Sequence, residues 1–120
     1  LIVMKDNVIV DKTLEFSIRI VNMYKYLCKE QSEFVLSKQL LRSGTSIGAN
    51  VREAEHAQSK ADFLNKNNIA LKEANETCYW LELLHKTGYI TTSMYDSVFA
   101  DCEEILKILI SIVKTSKQTN

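Results

Sequence analysis

Residues 41–54, LRSGTSIGANVREA, decide the fold. They interrupt an otherwise apolar-periodic helix with Ser43, Gly44, Thr45, Ser46 and Gly48, residues that individually weaken helices. Each interior glycine costs roughly 0.5–1 kcal/mol relative to alanine. Gly44 and Gly48 fall on one face at i, i+4, so the cost is offset only if another backbone, of this chain or of a partner copy, approaches that face closely. The motif therefore predicts a packed helix with a small-residue seam.

Working outward, the chain has no proline, and its only glycines are Gly44, Gly48 and Gly88. Helices can run long, and other residues must make the turns. The spacing predicts four helices. The first covers 11–29. The second covers 33–57, with Ser32 as N-cap and Glu33 in its first turn. The third starts after Ser59, where Ser59-x-x-Asp62 reads as a capping box, and ends at Gly88 as its C′ residue. The fourth follows Thr92 or Ser93, with Ser93-x-x-Asp96 as a second box, and runs to about residue 115. Its acidic residues Asp96, Asp101, Glu103 and Glu104 precede Lys107, Lys114 and Lys117, the order that complements a helix dipole. Short connections make successive helices antiparallel neighbours, so the expected fold is all-α, an up-down-up-down four-helix bundle over 11–115. Residues 1–10 read as a flexible leader, with Met4 as the natural start, and 116–120 as a flexible tail.

A 120-residue chain fits one domain whose core needs no metal or disulfide. Lys plus Arg and Asp plus Glu balance at 15 each, so no global field draws the chain to nucleic acid or an anionic membrane. No run of about 18 apolar residues exists, and the apolar start at residues 1–4 is too short for a signal peptide. The expected location is the cytoplasm. Cys28, Cys78 and Cys102 are odd in number and widely spaced, which offers neither a disulfide framework nor a C-x-x-C metal or redox pair. They read as small core residues.

A turn centred between Gln58 and Ser59 sets the level of the second helix against the third. Residues equidistant from it face each other: Asn50 with Asn67, Ser43 with Ala74, Ile47 with Ala70, and Arg42 with Asn75 and Glu76. This register predicts an Arg42–Glu76 ion pair, or Arg42–Glu73 after a one-turn slip, and a polar contact between Asn50 and Asn67.

At about 100° per residue, the first helix carries two adjacent apolar stripes. Leu14, Ile18, Val21, Tyr24 and Cys28 form one, read as the core. Phe16, Ile20, Met23 and Leu27 form the other. The fourth helix is similarly broad, with Val98, Cys102, Ile105, Leu109 and Ile112 flanked by Phe99, Leu106, Ile110 and Val113. Monomers rarely expose large apolar patches, so the excess width predicts an interface between copies, with Phe16, Ile20, Met23 and Leu27 meeting the Phe99, Leu106, Ile110 and Val113 side of a neighbour.

The order Arg42-Ser43-x-x-Ser46-Ile47-x-x-Asn50-Val51-x-Glu53, followed by a second long helix, resembles the four-helix-bundle family named after intervening sequences in large-subunit ribosomal RNA. The resemblance runs from about residue 8 to residue 109. It implies a homo-oligomeric ring, a pentamer, and a connection to RNA, and similar bundles serve as accessory subunits to retroelement reverse transcriptases. Those accessory proteins are notably basic, and this chain is not.

Two Glu-x-x-His pairs, Glu53 with His56 and Glu82 with His85, resemble half-sites of di-iron bundles. In antiparallel second and third helices they lie on the order of 30 Å apart at 1.5 Å per residue, which excludes one shared site. No nucleophile elbow, Cys-His-acid cluster or Gly-rich phosphate loop is present. No catalytic, cofactor-binding or metal-binding residue is therefore assigned. Local support for nucleic acid comes from Lys12, Arg19, Lys25 and Lys29 on the polar face of the first helix, with Tyr26 among them to stack on a base, and from Lys114 and Lys117. The reading is a non-enzymatic, self-assembling scaffold or adaptor near RNA. Its alternatives are a direct nucleic-acid binder and, third, a ligand- or metal-binding bundle.

Overall fold

The computed structural model describes the backbone of residues 2–118 and the side chains of residues 8–118. Four helices follow one another: α1 (Ile2–Gln31), α2 (Leu36–Glu55), α3 (Lys60–Lys86) and α4 (Thr92–Gln118). Each packs on its sequence neighbour, and α1 meets α4 along the least extensive contact, which closes the antiparallel bundle. At about 1.5 Å per residue, the 30 residues of α1 account for the 47 Å long dimension.

The helix ends follow capping chemistry, at residues that partly differ from expectation. Ser59 is the N-cap of α3, its side chain accepting from Asp62 N–H at 3.0 Å. α3 ends in a Schellman arrangement about Gly88 (φ +85°), with Tyr89 N–H donating to Leu84 O and Gly88 N–H to His85 O. Ser32 does not cap α2. It takes a left-handed φ of +50° and turns the chain, and the Glu33 carboxylate behind it accepts from the N–H groups of Val35, Leu36 and Ser37 at 3.1, 2.9 and 2.6 Å. A carboxylate reaching three orphan donors satisfies more of the helix start than a serine hydroxyl can. Thr91 rather than Ser93 caps α4, accepting from Met94 N–H at 3.1 Å. The helices also outrun the expected limits. Residues 8–10, assigned to a leader, belong to α1, and Ile9 is buried in the core, while residues 116–118, assigned to a tail, continue α4. Residues 1 and 119–120 lie outside the described residues.

The core reverses the expected roles of the two α1 stripes. Phe16, Ile20, Met23 and Leu27, expected at an interface, are buried, with Ile20 and Leu27 at 0% exposure. Leu14 and Ile18, expected in the core, are 48% and 53% exposed. On α4, Val113 is buried and Phe99 and Leu106 pack against the core, while Ile110 is 50% exposed. The expected interface set is thus mainly core, and the excess apolar width of α1 reaches solvent on its other stripe.

Candidate functional site

The small-residue segment lies in α2, between α1 and α3. Its polar side chains satisfy themselves within the helix. Thr45 Oγ1 donates to Leu41 O at 2.7 Å, Ser46 Oγ to Arg42 O at 2.6 Å, and the Asn50 amide to Ser46 O at 2.8 Å. The Asn67 amide likewise donates to Phe63 O at 3.0 Å, so the expected Asn50–Asn67 contact is replaced by a bond inside each helix. Both amides use the carbonyl one turn back, a local partner that competes with any contact between helices.

Toward α3, Arg42 pairs with Glu76 and, at 3.2 Å, with Glu73, satisfying both forms of the expected register. Glu76 Oε2 also accepts from Trp80 Nε1 at 2.9 Å. Below this pair, Ser43 Oγ and Thr77 Oγ1 are 3.0 Å apart in a fully buried contact, with Ile47, Ala70 and Ala74 at 0% exposure beside them. Small residues meet small residues, as the register requires. Further along, Glu53 is bridged to Lys66 at 2.8 Å.

Toward α1, the two glycines are close-contact positions. A Cβ on Gly44 would lie 2.8 Å from both Cγ1 and Cγ2 of Ile20, and one on Gly48 would lie 3.3 Å from Thr13 O and 3.4 Å from Ser17 Oγ. Thr13 and Ser17 donate back to Ile9 O and Thr13 O at 2.8 and 2.9 Å, presenting a small, satisfied surface to Gly48. Sequence reading found the α2 half of this seam and missed Thr13 and Ser17, whose spacing of four residues on α1 mirrors that of the glycines. Where the seam opens outward, Thr13, Leu14, Ser17, Ala49 and Arg52 line a groove of about 180 Å³. The exposed Leu14 forms one wall, with Ile18 one turn along the same stripe.

The basic face of α1 is largely occupied. Lys12 Nζ meets Glu104 Oε1 at 2.7 Å, and Arg19 meets Asp101 Oδ2 at 2.5 Å and Ser97 Oγ at 2.7 Å, all on α4. Glu104 holds the Lys12 ammonium pKa above its ordinary range, chiefly through that hydrogen bond. Tyr26 is half-buried and accepts from Gln31 Nε2 at 2.9 Å. Lys25, Lys29, Lys114 and Lys117 are exposed. The candidate phosphate contacts thus divide into two α1–α4 bridges and a remainder at the two ends of the bundle.

The Glu-x-x-His pairs do other work. His85 stacks on Tyr95 with ring centroids 4.5 Å apart, its Nε2 lying 3.1 Å from Thr92 Oγ1, while Glu53 is engaged with Lys66. Among the described residues, no group of three or more His, Cys, Asp or Glu is arranged to hold a metal, and no helix is long and apolar enough to cross a membrane.

The sequence matches, over residues 5–111, the model of the family described as 23S rRNA-intervening sequence protein. The chain belongs to that family. A crystal structure of a protein of unknown function from the S23 ribosomal protein family of Bacteroides thetaiotaomicron is 70% identical and superposes with a TM-score of 0.90, covering 92% of this chain and 98% of that one. No curated protein matches the sequence. Neither the family nor the solved relative indicates an enzyme.

Proposed function

We propose that this member of the intervening-sequence family is a non-enzymatic bundle that self-assembles through the exposed stripe of α1 and serves as a scaffold or adaptor near RNA. The carrying observation is the stripe itself: Leu14 and Ile18 are about half exposed, beside a groove floored by Gly48 and Ala49. The occupant is a second copy of the chain, and the family resemblance favours closure into a ring of five. The contact is heterologous, so Leu14 and Ile18 of one copy meet a different face of the next, for which the exposed Ile110 of α4 is suited. The RNA connection rests on the family description.

Light scattering at micromolar concentration tests the assembly. A mass several times that of one chain is expected, and Ile18→Asp should reduce it to one chain with helicity unchanged, because Ile18 is not part of the buried core. A monomeric unmodified protein would overturn the reading. A second reading, direct nucleic-acid binding, draws on Lys25 and Lys29, exposed one turn apart on α1. It predicts a shift of structured ribosomal RNA that weakens steeply with salt and is lost in Lys25→Glu/Lys29→Glu.

A further inference from the structure

Cys78 of α3 and Cys102 of α4 bring their Sγ atoms to 3.1 Å, away from the α1–α2 seam and the exposed stripe. The expectation that no cysteine pair is available is thereby corrected, because the α3–α4 hairpin joins residues 24 apart in sequence. Cys102 is fully buried and Cys78 is part-exposed. Cys28 stands apart, its Sγ 3.9 Å from Ser37 Oγ.

We propose that Cys78 and Cys102 are a reversible oxidation site, forming an intramolecular disulfide that staples α3 to α4 when the protein meets a hydroperoxide. A disulfide places its sulfurs about 2.05 Å apart, so the two atoms have only about 1 Å to close. Exposure assigns the roles. The Cys78 thiolate attacks one peroxide oxygen, the O–O bond breaks, and the departing oxygen leaves as water or alcohol after protonation, with Cys78 as the sulfenic acid. The Cys102 sulfur then attacks the Cys78 sulfur. The S–S bond forms, the S–O bond breaks, and the Cys102 proton leaves with the hydroxide as water. Two thiols are oxidised by two electrons, and one hydroperoxide is reduced.

The electrostatics agree with this order. In the resting dithiol Cys78 Sγ donates to Cys102 Sγ, and Cys102 Sγ donates to Ala74 O at 3.5 Å. Once Cys78 ionises, Cys102 can donate to its thiolate, which draws Cys78 below the ordinary thiol range against burial and the Glu103 carboxylate. The same contact, together with burial, pushes Cys102 up, so Cys78 is the more readily ionised of the two.

The test treats the full chain with hydrogen peroxide, alkylates it with N-ethylmaleimide in denaturant, and maps the peptides by mass. The expected product has lost two hydrogen atoms, carries alkylation on Cys28 alone, and yields a Cys78–Cys102 linked peptide that dithiothreitol separates. In Cys102→Ser the sulfenic acid at Cys78 should persist and be trapped by dimedone. Should that variant fold poorly, the peptide map of the unmodified chain decides by itself. Four results would overturn the proposal: over-oxidised Cys78 with Cys102 still alkylated, a linkage through Cys28, a linkage between chains, or no oxidation of Cys78.

Discussion

Helix α1 is held on its two sides by opposite means. Against α2 it packs by proximity: Gly44 and Gly48 let the backbones approach until Ile20 and Thr13 fill the space a side chain would take. Against α4 it is bridged by long charged side chains, Lys12 to Glu104 and Arg19 to Asp101, over a less extensive contact. Close packing is stiff, because interiors at crystal-like density punish even a methyl group. Partly exposed ion pairs are compliant and salt-sensitive, each contributing little. The α1–α2 side is therefore expected to be the stiffer of the two, and the α1–α4 side the first to yield.

The largest expected effect breaks the first side. Gly44→Ala gains up to about 1 kcal/mol of helix propensity but places a methyl 2.8 Å from two carbons of Ile20, a fully buried β-branched side chain that is stiff at χ1. Overfilling should dominate, with a net loss of about 1–3 kcal/mol in a thermal or urea melt. Gly48→Ala should come out near neutral, because contacts of 3.3 and 3.4 Å require only a small displacement that the propensity gain offsets. A melt that rises for both variants would remove the close-packing account of the seam.

This contrast also marks where the sequence is legible. The α2–α3 register follows from counting outward from one short turn, and the Arg42 contacts to Glu73 and Glu76 bear it out. The Gly88 and Ser59 caps follow from local chemistry that needs no tertiary information. The orientation of α1 does not. Two adjacent apolar stripes have the same spacing and similar hydrophobicity, so a helical wheel gives the width of the apolar arc and not its direction. What breaks the tie is that Ile20 fits over Gly44, a contact between helices whose mutual register no short turn chemistry fixes as firmly. The basic face misled for a related reason: Arg19 and Lys12 look free on a single helix and acquire Asp101 and Glu104 only when α4 closes the bundle. Cys78 and Cys102 were within reach of the same counting, each twelve residues from Ile90 in the α3–α4 turn.

At the end of the rigid side, where α1 hands over to α2, Glu33 offers a test by pH. Its burial would raise the carboxyl pKa, but the three backbone N–H groups of Val35, Leu36 and Ser37 outweigh that and hold it below the ordinary 4.5. A depressed folded pKa contributes stability that is fully present above the unfolded value and is lost as pH falls through the lowered folded value. Glu33→Gln keeps the shape and removes the charge, and should cost about 1–2 kcal/mol at neutral pH. The gap between variant and parent should narrow as pH drops below about 4.5. A gap that stays constant between neutral and acid pH would show that the charge of the cap is irrelevant.

The smallest effect lies on the compliant side. Arg19→Gln, Asp101→Asn and the double variant form a cycle across the α1–α4 contact. Both side chains are roughly two-fifths exposed, so the coupling should fall in the range of about 0.2–1 kcal/mol measured for exposed pairs. Solvent separates this pair from the packed seam in a measurable way. Raising salt from 0.05 to 1 M, as order-of-magnitude limits, shortens the Debye length from more than 10 Å to about 3 Å and should erase most of the coupling. The losses at Gly44 should stay unchanged, since steric overlap has no salt dependence. A salt-resistant Arg19–Asp101 coupling would mean that the bridge is shielded from water and that both sides of α1 are rigid, leaving the bundle without a yielding face.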